Sequence, residues 1–176
     1  MADGKSLYAK RIISDAGIVN TYSKLIPKEV REQHHLADQL AQLEPSGAHM
    51  GLYAGINGSP ESLKLPSCNY WIFPNEYNHE VNQKAYTNIH SPLPVAFASF
   101  PAAKDPESQK NHPGKSTAEV IIIVPYDWFT KWENTTWKKR DADYTALKEE
   151  VSKQMLECLY RVAPQLKGKI EYFEVS

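Results

Sequence analysis

A chain of 176 residues with 20 basic and 21 acidic side chains carries a formal net charge of −1. That length suits one domain with a buried core, and the charge balance excludes any broad electrostatic attraction for nucleic acid. No apolar run is long enough for a transmembrane helix, and the charged, polar N-terminal stretch does not read as a secretory signal.

Asp3-Gly4 is a strong hairpin-turn dipeptide, and residues 7–14 alternate loosely as a strand. Only Met1-Ala2 precede the turn, so the chain is expected to start inside a β-hairpin whose first strand is cut away. A helix is expected over 18–26, ended by Pro27. Residues 28–43 carry Leu36, Leu40 and Leu43 at helical spacing, closed by Pro45-Ser46-Gly47. Strands follow at 49–56, turned by Asn57-Gly58, and at 69–73, which is dense in rings. The polar stretch 75–88 has room for a short helix. Residues 95–100 read as a strand and 102–112 as a polar loop.

The stretch from Ser99 to Trp137 is the most informative. A Pro-rich loop leads into Pro113-Gly114-Lys115-Ser116-Thr117, then the apolar, β-branched run Val120 to Val124, then Pro125-Tyr126-Asp127-Trp128-Phe129 and Trp132. The run reads as a buried central strand over 118–124, carrying aromatic rings just past its end. After a charged turn at 138–141, Asp143 is a plausible N-cap for a long helix to Val162. Its apolar face is Tyr144, Leu147, Val151, Met155, Cys158, Leu159 and Val162, and Pro164 and Gly168 end it. A last strand covers 170–175. Strands clustered in the middle, with helices early and late, favour an α+β fold: an antiparallel or mixed sheet covered on one face by helices.

The motif Pro-Gly-Lys-Ser-Thr, strand, Val-Pro-Tyr-Asp-Trp-Phe-x-x-Trp resembles the retinol saturase and carotenoid isomerase branch of the phytoene desaturase-like, FAD-dependent oxidoreductases. Two further stretches agree. Arg11-Ile12-Ile13-Ser14-Asp15-Ala16-Gly17-Ile18 with Asn20-Thr21-Tyr22 is similar to the segment where that family leaves its flavin domain. Leu52-Tyr53-Ala54-Gly55-Ile56, then Leu65-Pro66-Ser67-Cys68-Asn69-Tyr70-Trp71-Ile72, is similar to its glycine-containing strand and the strand after it. The resemblance implies the substrate domain of an amine oxidase-like flavoprotein. Residues 1–17 would then be a remnant of the flavin-domain hairpin and crossing segment, and 18–176 the substrate-binding domain. The eight glycines include no GxGxxG turn, the element that holds the FAD pyrophosphate. The chain alone is therefore expected to carry no FAD and to be inactive, the FAD belonging to the parent protein.

Other chemistry is thinly supported. His34-His35 are adjacent, and neighbouring helical residues point about 100° apart, so they do not readily share a metal. His49, His79, His90 and His112 lack ligand spacing, and zinc needs several converging ligands. Ser116 lies in no GxSxG elbow, and Gly114-Lys115-Ser116 lacks the rest of a phosphate loop. Cys68 and Cys158 read as two reduced, buried thiols. Asp15 and Asp127 read first as turn or N-cap residues. No catalytic residue is assigned.

The rings are the functional signal. A retinoid or carotenoid-like polyene is long, flat and apolar, and needs a tunnel of rings and aliphatics. Tyr53, Tyr70, Phe73, Phe97, Phe100, Tyr126, Trp128 and Phe129 are the candidate lining. The partners implied are an apolar polyene or lipid-like molecule and the parent's FAD-binding domain. The uncovered edges and rings of such a fragment are expected to favour self-association. The location is expected to be cytoplasmic, with peripheral membrane attachment of the parent left open. The rival is a stand-alone lipid or small-molecule-binding α+β module without redox activity.

Overall fold

The β-branched run is the second half of a longer strand. In the computed structural model, which describes residues 3–43, 47–73, 78–136 and 138–176, Lys115–Val124 pairs antiparallel along the whole length of Ala48–Asn57. The polar start, Lys115-Ser116-Thr117, joins the ladder because its partner strand satisfies its backbone. Gly114 supplies the turn into it at φ 70°, and the buried Ser116 hydroxyl donates to the Gly58 carbonyl at 2.7 Å. Lys115 extends to Glu171 at 2.8 Å and to Asn57. The motif that faintly resembled a phosphate loop thus fastens three strand ends together.

The chain divides into two compact units, residues 1–46 and 47–176. In the second, the strands are β1 (Ala48–Asn57), β2 (Tyr70–Ile72), β3 (Ala96–Ser99), β4 (Lys115–Val124) and β5 (Ile170–Val175). Among the described residues they form one open antiparallel sheet in the order β2-β3-β4-β1-β5, and the fold is α+β. One face is the core. Met50, Leu52, Ala54 and Ile56 of β1, Ala118, Val120, Ile122 and Val124 of β4, and Ala96 and Ala98 of β3 are all buried there. They pack in one cluster with Val151, Met155 and Leu159 of a long helix, Ala142–Val162.

That helix begins earlier than the expected cap. Asp141, not Asp143, is the N-cap: its carboxylate accepts from the Tyr144 amide at 3.0 Å and from Trp132 Nε1 at 2.8 Å. Trp132 is itself buried, which pins the cap in place, while Asp143 turns outward to Lys131 at 2.6 Å. Both hydrogen bonds hold the Asp141 carboxyl below the ordinary carboxylate range. The loop expected at 102–112 contains a 3-10 turn, Pro101–Ala103, and a short helix, Ser108–Asn111. A further short helix, His79–Ala85, is capped by the Asn78 side chain; residues 75–77 of the expected segment lie outside the described residues.

The first unit departs most from expectation. No strand forms at 7–14, where Leu7 is 80 % and Ile13 97 % exposed. Loose alternation cannot hold a strand without a partner to take its hydrogen bonds, and the residues before the Asp3-Gly4 turn, Met1-Ala2, lie outside the described residues. The helix expected over 18–26 is one α-turn, Ile18–Asn20, running into a π-helical turn, Thr21–Leu25. The helix expected over 28–43 is two, Lys28–Gln33 and Leu36–Leu40, broken where His35 takes the left-handed conformation at φ 49°. Residues 28–35 hold one apolar side chain, Val30, so the leucine stripe has nothing to extend it past the break. Of the expected closing turn, Pro45-Ser46 lie outside the described residues.

Leu159 is fully buried on the sheet-facing side of the long helix. Leu159→Ala should cost roughly 2–5 kcal/mol in urea unfolding, and a near-zero change would show that this helix does not form the core. Asp141 titrates with the opposite logic to a buried base: its depressed pKa adds stability above its unfolded value of about 3.9, and that stability is lost as pH falls through the folded value. Asp141→Asn keeps a capping side chain without the charge, so the advantage of the parent chain over it should shrink between about pH 5 and the acid limb.

Candidate functional site

Alternation along β4 sends Ile121 and Ile123 to the face of the sheet opposite the long helix. The continuous apolar run was expected to be a buried central strand. Instead Ile121 is half-buried and Ile123 is 42 % exposed. An antiparallel strand with one wet face should alternate apolar with polar, so two isoleucines on the open side are out of pattern. Their neighbours are out of pattern too. Register places Trp71 beside Phe97, Phe97 beside Ile121, and Ile121 beside Gly51. Trp71 and Phe97 meet edge to face, centroids 5.3 Å apart, with Trp71 65 % exposed.

The result is a hollow of about 410 Å³ on the open face, lined among others by Tyr53, Trp71, Val95, Phe97, Ile121 and Ile123. Gly51 sets its depth. The Tyr53 ring leans along β1 over Gly51, so closely that a Cβ there would lie 2.7 Å from the phenol oxygen. Chemically this surface can grip a flat or rod-shaped apolar molecule on one side. A larger hollow, about 760 Å³, lies between the long helix and β5. Arg140, Lys148, Glu149 and Glu174 line it, and Arg140 stacks 4.5 Å from the Tyr144 ring centre. Burial lowers the Lys148 pKa, with Glu174 opposing and Arg140 adding to the shift. Charges of both signs make it a poor seat for a hydrocarbon.

The structure distributes the eight candidate rings over three surroundings. Tyr53 and Phe97 stand on the open face. Tyr70 and Phe100 are on the core side, edge to face at 6.3 Å, and Phe100 is fully buried. Trp128 and Phe129 pack against the core from the 3-10 segment Tyr126–Trp132, where Trp128 Nε1 donates to the Tyr86 carbonyl at 3.1 Å. Tyr126 on that segment is exposed, as is Phe73 beyond the end of β2. Sequence reading left out Trp71, Ile121 and Ile123. For the two isoleucines the signal was the unbroken apolar run in β4, read as a buried strand.

Among the described residues no group of three or more His, Cys, Asp and Glu side chains converges as metal ligands. Cys158 is partly buried, which pushes its thiol pKa up, but Cys68 is exposed rather than buried as expected. The neighbouring Cys68 thiol, more than burial, raises the Tyr70 phenol's pKa. Among the described residues the sheet is wholly antiparallel, and no glycine turn leads from a parallel strand into a helix. No described helix is long and apolar enough to cross a membrane.

Site and core rings should separate by mutation. Phe97→Ala removes a ring from an open face and should cost less than about 1.5 kcal/mol, the worth of an edge-to-face pair. Phe100→Ala empties a fully buried position and should cost about 3–5 kcal/mol. Denaturant midpoints of the two variants measure the contrast.

No family model matches this chain. It is 34 % identical over 169 residues to the all-trans-retinol 13,14-reductase of Danio rerio, covering 94 % of this chain and 28 % of the relative. The human protein of the same name is 30 % identical over 173 residues, with the same coverage of both chains. An inactive all-trans-retinol 13,14-reductase of Danio rerio is 26 % identical over 166 residues, so similarity at this level does not by itself separate active from inactive relatives. The chain is a homologue of the all-trans-retinol 13,14-reductases (retinol saturases) and spans 28 % of their length.

Proposed function

We propose that this chain supplies the substrate-facing domain of a flavin-dependent oxidoreductase that acts on a retinoid or a related polyene. The observation that carries the reading is the apolar band on the open sheet face, Trp71, Phe97, Ile121 and Ile123, with its 410 Å³ hollow. The relatives are named for a reaction of retinol, a rod-shaped apolar alcohol that suits such a band. In this reading β3 and β4 hold the polyene flat against the sheet, Tyr53 closes one side, and the rings exclude water from the chain of double bonds. Of the other candidate rings, Tyr70, Phe100, Trp128 and Phe129 support that wall from the core, and Phe73 and Tyr126 face the rest of the parent protein.

The flavin belongs to that remainder, and residues 1–17 belong to the crossing toward it. Redox chemistry is the cofactor's contribution when the whole protein is assembled. Alone, the chain is a binding surface without catalysis, and its open face and the free edge of β5 give it routes to self-association. A stand-alone binding module would enclose its ligand within one chain, and the openness of this hollow favours the larger assembly.

The experiment is a titration of the 176-residue chain with all-trans-retinol, followed by tryptophan quenching. Ile121→Glu places a charge on the half-exposed band and should weaken binding on the order of tenfold or more, because burying an unpaired carboxylate is costly. Tyr126→Ala should leave it unchanged. Equal binding by Ile121→Glu and the parent chain would overturn the site. Flavin absorbance surviving gel filtration near stoichiometric amount would overturn the placing of FAD outside this chain.

A further inference from the structure

We propose that Lys104 is a specificity residue, holding the terminal hydroxyl of an elongated apolar alcohol laid across the open face. The inference rests on the substrate-site reading and adds an end-group preference to it.

Register arranges the open face in rows. The apolar row is Trp71, Phe97, Ile121 and Gly51. Two residues along each strand, about 7 Å away, lies a polar row. Tyr70 pairs with Ala98, so Asn69 lies opposite Ser99; Ser99 pairs with Glu119, Glu119 with Tyr53, and Tyr53 with Glu174. A rod-shaped ligand on the apolar row therefore has a polar border beside it.

Ser99 is the anomaly in this border. It points to the open face, yet it is 3 % exposed. Lys104, just past the 3-10 turn Pro101–Ala103, reaches over it. Its Nζ donates to Ser99 Oγ at 2.6 Å and also to Asn69 Oδ1. An ammonium has three N–H donors, and two are used here. Both acceptors are neutral, and no direct ion pair of Lys104 occurs among the described residues, so the ammonium is held in place with a donor left for a further partner. A surface lysine is ordinarily mobile; this one is pre-oriented in the polar row that borders the apolar one.

Glu119 makes the preference specific. Directly paired residues on one face have Cβ atoms about 5 Å apart, so Glu119 stands next to Ser99 and the ammonium above it. A cation that donates and a carboxylate that accepts, side by side, match an alcohol, whose oxygen accepts one hydrogen bond and whose proton donates another. A hydrocarbon end leaves both unmatched. A carboxylate end gains from Lys104 but meets Glu119 as a like charge and has no proton to give it, so the pair favours the alcohol.

The test measures end-group selectivity in the 176-residue chain, with three probes: all-trans-retinol, the same polyene ending in methyl, and all-trans-retinoic acid. The alcohol should bind on the order of tenfold tighter than the hydrocarbon, the scale of a charged hydrogen bond, and tighter than the acid. Lys104→Met should bring the alcohol-to-hydrocarbon ratio close to one while leaving hydrocarbon binding intact. A merely structural lysine would weaken both ligands alike. Glu119→Gln, at a half-exposed position, gives a second handle if Lys104→Met does not fold: it should reduce the alcohol preference and admit the acid. Equal binding of alcohol and hydrocarbon to the parent chain, both weakened by Ile121→Glu, would overturn the role of Lys104 and leave the apolar site standing. An unchanged ratio in Lys104→Met would do the same. Failure of every probe to bind would overturn both.

Discussion

Ten residue pairs in antiparallel register tie β1 to β4, from Ala48 with Val124 to Asn57 with Lys115. Everything else in the second unit attaches to that ribbon. β3 adds to the free side of β4, β2 to β3, and β5 to the free side of β1. Because side chains alternate with a strict period of two, the pairing decides at once which residues meet the long helix and which face the open side. A slip by one residue would exchange Val120 and Ile122 for Glu119 and Ile121, burying a carboxylate and exposing the core. Register is therefore fixed by the core, and the geometry of the open face follows from it.

The two faces are held to different standards. On the core side the constraint is volume: Leu52, Val120, Val151 and Leu159 are fully buried and packed in one cluster. On the open side the residues are apolar without being packed, a condition that is unfavourable unless something covers it. Hydrogen bonds at the margins keep that side orderly. Lys115 and Glu171 close the far ends of β4 and β5, and Lys104 fastens the ends of β2 and β3.

The sequence was most readable where local pattern and long-range packing agree. Residues 170–175 form the expected strand, and the long helix runs to Val162 as its apolar face implied. It was less readable where a distant partner decides. Lys115 to Thr117 look like loop until β1 supplies their hydrogen bonds, and residues 7–14 look like strand although nothing is there to pair with them. The cap moved from Asp143 to Asp141 because Trp132, nine residues before it, chooses which carboxylate it can reach. The rings pose the same difficulty in another form. Aromatic content marks both core and site, and only the parity of each position separates Phe97 from Phe100 or Trp71 from Tyr70. Parity depends on register, which a single strand does not reveal.

Gly51 offers a final consequence. The floor of the hollow beneath Tyr53 is bare backbone, and the phenol lies down because nothing stands under it. The clash that a methyl there would create falls on the far tip of a flexible side chain, which can swing away at small cost to the fold. Position 51 thus acts as a shim under a hinged flap. Changing its height would reshape the cavity without disturbing the core, so the width of the hollow hangs on one residue outside the packed cluster.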